Sequence, residues 1–181
     1  RQREYVDSGI CFCEIKNKIN TGRTQKVRVK IAKSEWGTLD AAEMSSFVKE
    51  HFWITDRMLS PRLQNGFERI TLVNHAHTER VTIDQSISFR NLVTDVEADV
   101  SGLVVAEVKR DGRQPSDFVQ LLQQYRVRPQ KLSKYVLGML LTDEHIKYNR
   151  FKPKIRYVSK LVGEELEIKA QKAAWCADNN R

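Results

Sequence analysis

The chain has 181 residues, 40% of them hydrophobic and 30% charged, which is the composition of a folded globular protein and excludes a disordered tail. A net charge of +8 and a pI near 9.5 point to an anionic partner such as phosphate, nucleic acid or a membrane surface. No apolar run approaches the roughly 18–20 residues of a membrane span, and no signal peptide is visible. Cys11 and Cys13, two apart, fit neither a zinc knuckle nor a disulfide framework, so reduced, buried thiols in a cytoplasmic protein are expected.

In chain order, residues 1–6 read as the end of a strand, followed by a turn at Asp7-Ser8-Gly9. Residues 12–30 read as two strands around Asn20-Thr21-Gly22. Helical spacing of Met44, Phe47, Val48 and Phe52 predicts a helix from about Leu39 to Trp53. Strands are expected near 67–73 and 79–84, with His75 and His77 in the intervening turn and assigned to solvent. Another strand covers about 103–109 and breaks at Asp111-Gly112. Pro115 suits the first turn of a helix with Phe118, Leu121, Leu122 and Tyr125 on its face. A second helix carries Leu132, Tyr135, Val136, Met139 and Leu140, and a last one is expected at 164–175. Many strands with a few helices predict an α+β fold.

The strands share one bias. Side chains alternate with period two, so Glu14, Lys16 and Lys18 share a face while Cys11, Cys13 and Ile15 take the other. Lys26, Arg28 and Lys30 are backed by Val27, Val29 and Ile31. Arg1, Arg3 and Tyr5 align. Arg69 and Thr71 are backed by Ile70 and Leu72, and Arg80, Thr82 and Asp84 by Val81 and Ile83. Glu107 and Lys109 are backed by Val104, Ala106 and Val108. For any one strand, a charged face in water suffices. For the set it does not, because a solvated face mixes signs and here cations heavily outnumber carboxylates. Closed into a barrel, these side chains would point inward, and a buried cluster of like charges needs counter-ions. A long polyanion is implied, with the few carboxylates available to a divalent metal beside it.

The order of motifs is R-x-R-x-Y at Arg1 to Tyr5, E-I-K-N-K at Glu14 to Lys18, and K-V-R at Lys26 to Arg28. Arg69 follows, then R-V-T-I-D at Arg80 to Asp84, A-E-V-K at Ala106 to Lys109, and K-L-S-K-Y at Lys131 to Tyr135. Seven weak motifs in this order resemble the VTC domain, the inorganic polyphosphate polymerase branch of the triphosphate tunnel (CYTH-like) enzymes, over about residues 1–142. The resemblance implies an antiparallel β-tunnel, closed or partly closed, with a cation-lined interior and helices packed outside. It implies that ATP's terminal phosphoryl group passes to a growing polyphosphate chain. Arg1, Arg3, Lys16, Lys26, Arg28, Arg69, Arg80, Lys131, Ser133 and Lys134 would bind phosphate, with Lys16, Arg69, Arg80 and Lys134 at the reacting groups. Glu107 would hold a divalent metal, manganese or magnesium, although it also suits an ordinary ion pair. Asp84 suits a turn or a second metal ligand equally. The resemblance also implies opening strands that lie before Arg1. It shows Phe67 where the family usually has Tyr, which removes a hydroxyl contact. Residues 143–181 are expected to form an extension on the same domain.

Polymerase is the leading reading, with ATP and inorganic polyphosphate as partners and no nucleic acid. A tunnel triphosphatase would share the ligands and deliver water. An accessory polyphosphate-binding domain would not need Glu107. A nucleic-acid binder would interleave exposed aromatics with its cations, which these strands lack.

Overall fold

A short strand, two longer strands that alternate apolar and charged residues, and a helix laid on their apolar side lie in the first unit of the chain, Arg1–Pro61; the second unit is Arg62–Arg181. The computed structural model describes residues 1–38, 42–51, 59–112, 115–163, 165–166 and 168–169. Expectations that fall on Leu39, Phe52, Trp53 and most of the helix at 164–175 lie outside the described residues.

In the first unit β1 (Gln2–Tyr5), β2 (Ile10–Lys18) and β3 (Thr24–Ile31) form an antiparallel sheet in that order. Gly9 takes φ 63 to close the turn between β1 and β2, a conformation that glycine adopts without steric penalty. Lys16 pairs with Lys26, Glu14 with Arg28 and Phe12 with Lys30. This register sets the cations of both strands on one face. On the other, Cys11, Cys13 and Ile31 pack with Met44, Phe47 and Val48 of α1 (Ala42–His51). Burial raises the Cys13 thiol pKa, so the thiol stays neutral within the core.

In the second unit β5 (Glu79–Asn91) is the central strand. It pairs with β4 (Leu63–Val73) along one edge, and with β6 (Glu97–Val100) and β7 (Val105–Arg110) along the other, all antiparallel. Helices α2 (Asp117–Gln124), α3 (Lys134–Thr142) and α4 (Lys152–Val162) follow. Helix α3 lies on the sheet through Leu137 and Leu141, which pack with Ile87, Phe89, Val100 and Val158. Gly138 permits that approach, because a Cβ there would overlap the Phe89 ring and the Leu63 side chain. Tyr135, expected in the helix core, is 55% exposed. Helix α2 buries none of its residues, so its expected apolar face does not form a core among the described residues.

The fold is α+β, as the many strands and few helices predict, and its sheets are antiparallel, as the resemblance implies. The expected closed tunnel is not found among the described residues: each unit holds an open sheet. The placement of helices also differs between units. Helix α1 covers the apolar face of its sheet, as expected. Helix α3 instead lies on the face that carries Arg69 and Asp84, while Ile70 and Leu72 on the opposite face are about half exposed. A β-bulge is the cause. Between the pairs Gly66–Ser88 and Glu68–Gln85, one residue of β4, Phe67, faces two of β5, Ser86 and Ile87. Ser86 takes φ 52. The extra residue reverses the alternation of β5, so Thr82 and Asp84 share a face with Ile87 and Phe89.

Candidate functional site

Each unit carries a buried carboxylate held by two cations. In the first unit the carboxylate is Glu14, 1% exposed. Arg1 Nε donates to Oε2 at 2.9 Å and its Nη2 lies 2.7 Å from the same oxygen. The Lys26 ammonium meets Oε1 as an ion pair rather than an aligned hydrogen bond. Burial alone would raise the Glu14 pKa; contacts from Lys26 and Arg1 more than offset it and bring it to about 2. Arg3 Nη1 donates to the Tyr5 hydroxyl at 3.1 Å, lowering the phenol pKa. Arg28 lies over the Phe12 ring, 4.6 Å from its centroid. Lys16 shares this face, cross-strand from Lys26.

In the second unit the carboxylate is Asp84, 2% exposed. It sits directly across from Arg69 in the β4–β5 register. Arg69 grips it with both arms of its guanidinium, Nε donating to Oδ1 at 2.6 Å and Nη2 to Oδ2 at 2.7 Å. Lys134, the first residue of α3, donates to Oδ2 as well. The bulge permits this: α3 packs on Ile87 and Phe89, so its first turn reaches the same face at Asp84. Burial raises the Asp84 pKa, and the hydrogen bonds from Arg69 and Lys134 outweigh it, leaving the carboxyl below its usual range. Phe67 lies beneath both cations, its centroid 5.0 Å from the Arg69 guanidinium carbon and 4.3 Å from Lys134 Nζ. The position that lacks a hydroxyl thus offers an aromatic face to two positive charges.

The remaining positions fall around this core. Arg80 shares the Asp84 face, pairs in register with Lys109, and has no polar partner among the described residues. Ser133 caps α3, its Oγ accepting from the Val136 amide at 3.4 Å, and thereby sets the angle at which Lys134 enters. Lys131 lines a cleft between α3 and α4 with Leu132, Val136 and Lys154, and does not reach Asp84.

Glu107 stands on β7 across from Thr82 and forms an ion pair with Lys109 at 3.3 Å, both side chains more than half exposed. Among the described residues no group of three or more His, Cys, Asp or Glu comes together. The buried Thr82 Oγ1 has no hydrogen-bond partner there. One carboxylate beside an unsatisfied hydroxyl suits magnesium or manganese shared with substrate phosphates, which need only one or two protein carboxylates. It does not suit a fully protein-ligated ion. His75 and His77 are exposed in the β4–β5 turn.

The alternation of the strands places the cations on shared faces but does not show Glu14 and Asp84 as the points where they meet. The signal was one carboxylate within each run of like charge, on the same face.

The family model described as VTC domain matches residues 1–143. Searches among curated proteins and among solved structures found no match. No helix among the described residues is long and apolar enough to cross a membrane.

Proposed function

Because the chain belongs to the VTC domain family, whose members have polyphosphate-related functions, we propose that it is a polyphosphate polymerase that uses ATP. The observation that carries this reading is the array on one face of β4, β5 and β7. Arg69 and Lys134 are fixed on Asp84, with Arg80 and Lys109 alongside and Glu107 at the rim. Phosphoryl transfer asks a protein mainly for position and charge neutralisation, and this face supplies both without a nucleophile of its own. A terminal oxygen of the polyphosphate chain attacks the γ-phosphorus of ATP. The bond from the γ-phosphorus to its bridging oxygen breaks, ADP leaves, and the chain gains one phosphate.

Arg69 and Lys134 hold charge on the transferring group, and Asp84 keeps both cations aimed before substrate arrives, which lowers the reorganisation needed during transfer. Arg80 and Lys131 extend the contacts along the phosphates. In the first unit Arg1, Arg3, Lys16, Lys26 and Arg28 form a second cationic face with the same chemistry. A divalent ion, manganese or magnesium, fits at Glu107 and Thr82 and would neutralise phosphate charge there.

Incubation with ATP and manganese, followed by separation of products by length, tests this reading. Long-chain polyphosphate with stoichiometric ADP is the expected result. Orthophosphate alone would assign the site to hydrolysis, and no consumption of ATP with retained polyphosphate binding would assign it to an accessory domain.

A further inference from the structure

Just beyond residue 143, where the family match ends, residues 144–163 are strongly basic, and Glu164, Glu165 and Glu167 follow them in the sequence. Lys147, Arg150, Lys152, Lys154, Arg156 and Lys160 fall within residues 144–163, where Glu144 is the one carboxylate. None of the six forms an ion pair among the described residues. Helix α4 has no acidic residue in its first turn, where cations oppose the helix dipole. Lys152, Arg156 and Lys160 recur every four residues, so they form a row along one flank with steps of about 6 Å. Like charges at this spacing destabilise a helix. The helix is nonetheless held firmly. Ile155 and Val158 are buried against α3, Pro153 stands in the first turn, and Gly163 caps the end in the left-handed conformation.

We propose that this row binds polyphosphate outside the site described above, as a track for a chain too long for that site alone. The inference rests on the polyphosphate reading and deepens it. The alternatives fit the helix less well. A bilayer needs an apolar stripe to enter it, but Ile155 and Val158 are spent on α3 and Leu161 alone is well exposed. Single-stranded nucleic acid needs exposed aromatic faces for stacking, but Tyr148 and Phe151 pack onto the Leu140–Ile155 cluster. Tyr148 is half-buried and its ring centroid lies 5.6 Å from Lys152 Nζ, so that ring is already engaged by a cation; a row of cations without an exposed aromatic face suits a linear anion that has no bases.

The test compares the chain with the triple variant K152Q/R156Q/K160Q, using tripolyphosphate and long-chain polyphosphate as separate probes. For the unaltered chain, long-chain polyphosphate binds tighter than tripolyphosphate. In the triple variant its affinity falls about tenfold, the sum of three exposed ionic contacts. Its salt dependence flattens by roughly two to three in log–log slope. Tripolyphosphate affinity stays unchanged, the melting midpoint holds or rises as the like-charge repulsion along the helix is relieved, and K152R/R156K/K160R retains long-chain binding. Equal affinity for both probes, or an unaffected triple variant, overturns the track. Loss of tripolyphosphate binding in the unaltered chain, with long-chain binding still dependent on the three residues, overturns the site reading and leaves the track standing. Anionic vesicles or a single-stranded RNA that bind tighter than polyphosphate through these residues also overturn it.

Discussion

Arg69 on β4 and Lys134 at the start of α3 are brought together on the two oxygens of one buried carboxylate, above the face of one phenylalanine ring. Neither cation could be held this close to the other in a site shielded from water without that carboxylate. Asp84→Asn should therefore destabilise the fold by about 3 kcal/mol, the lower end for breaking a buried pair, because both cations keep some access to water. Urea unfolding measures it. Saturating tripolyphosphate should restore more stability to the variant than it adds to the native chain. An equal gain in both would show that Asp84 does not stand between the cations and phosphate.

Acid should weaken the first unit through Glu14. Its pKa falls from an ordinary 4.5 to about 2 on folding, so its contribution is fully present above pH 4.5. That contribution is lost as pH drops toward 2, and amounts to about 3 kcal/mol. The lowered pKa of Asp84 acts with the same sign in the second unit. Unfolding free energies measured from pH 7 down to 3 should decline, and the slope should flatten in Glu14→Gln.

If Glu107 holds the proposed divalent ion, Glu107→Ala should abolish turnover and leave polyphosphate affinity nearly intact, since it would remove that ligand and spare the cations. Paired activity and binding titrations check this. Unchanged turnover would remove Glu107 from the site.

Ligands that neutralise the cationic faces should stabilise the chain by mass action. At about a hundredfold excess over its dissociation constant, tripolyphosphate adds roughly 2.7 kcal/mol, a midpoint rise of roughly 5 °C or more. Sulfate should act weakly, and sodium chloride should erode the effect. A melting curve that ignores sub-millimolar tripolyphosphate would return these faces to the status of solvated surface.

Gly138→Ala should destabilise by about 1–3 kcal/mol through overpacking against Phe89 and Leu63. An exposed helix position would gain up to about 1 kcal/mol from the same change. Thermal denaturation gives the sign directly.

The first unit was largely legible because its alternation is unbroken. Cys11, Cys13 and Ile15 against Glu14, Lys16 and Lys18 name both faces of β2, and Met44, Phe47 and Val48 name the helix that covers one of them. Strand β5 was legible only as far as Asp84. Beyond it, Ile87, Phe89 and Asn91 are the buried positions where Thr82 and Asp84 had been, and a period-two reading stops where the phase changes. Helix α4 was hidden by its charge, which obscured the spacing of Ile155, Val158 and Val162. The pairing of Arg69 with Asp84 depends on register, which neither strand states alone.

Ser86 acts on β5 much as a single inserted letter acts on a reading frame. Upstream of it the even-numbered residues face α3; from Ile87 onward the odd ones do. A chain lacking this one residue would keep every ligand and every core side chain in its composition. It could not show both to the same helix: with Phe89 beneath Gly138, Asp84 would turn away from Lys134. The position most able to silence the array is thus a small, exposed serine that touches no phosphate.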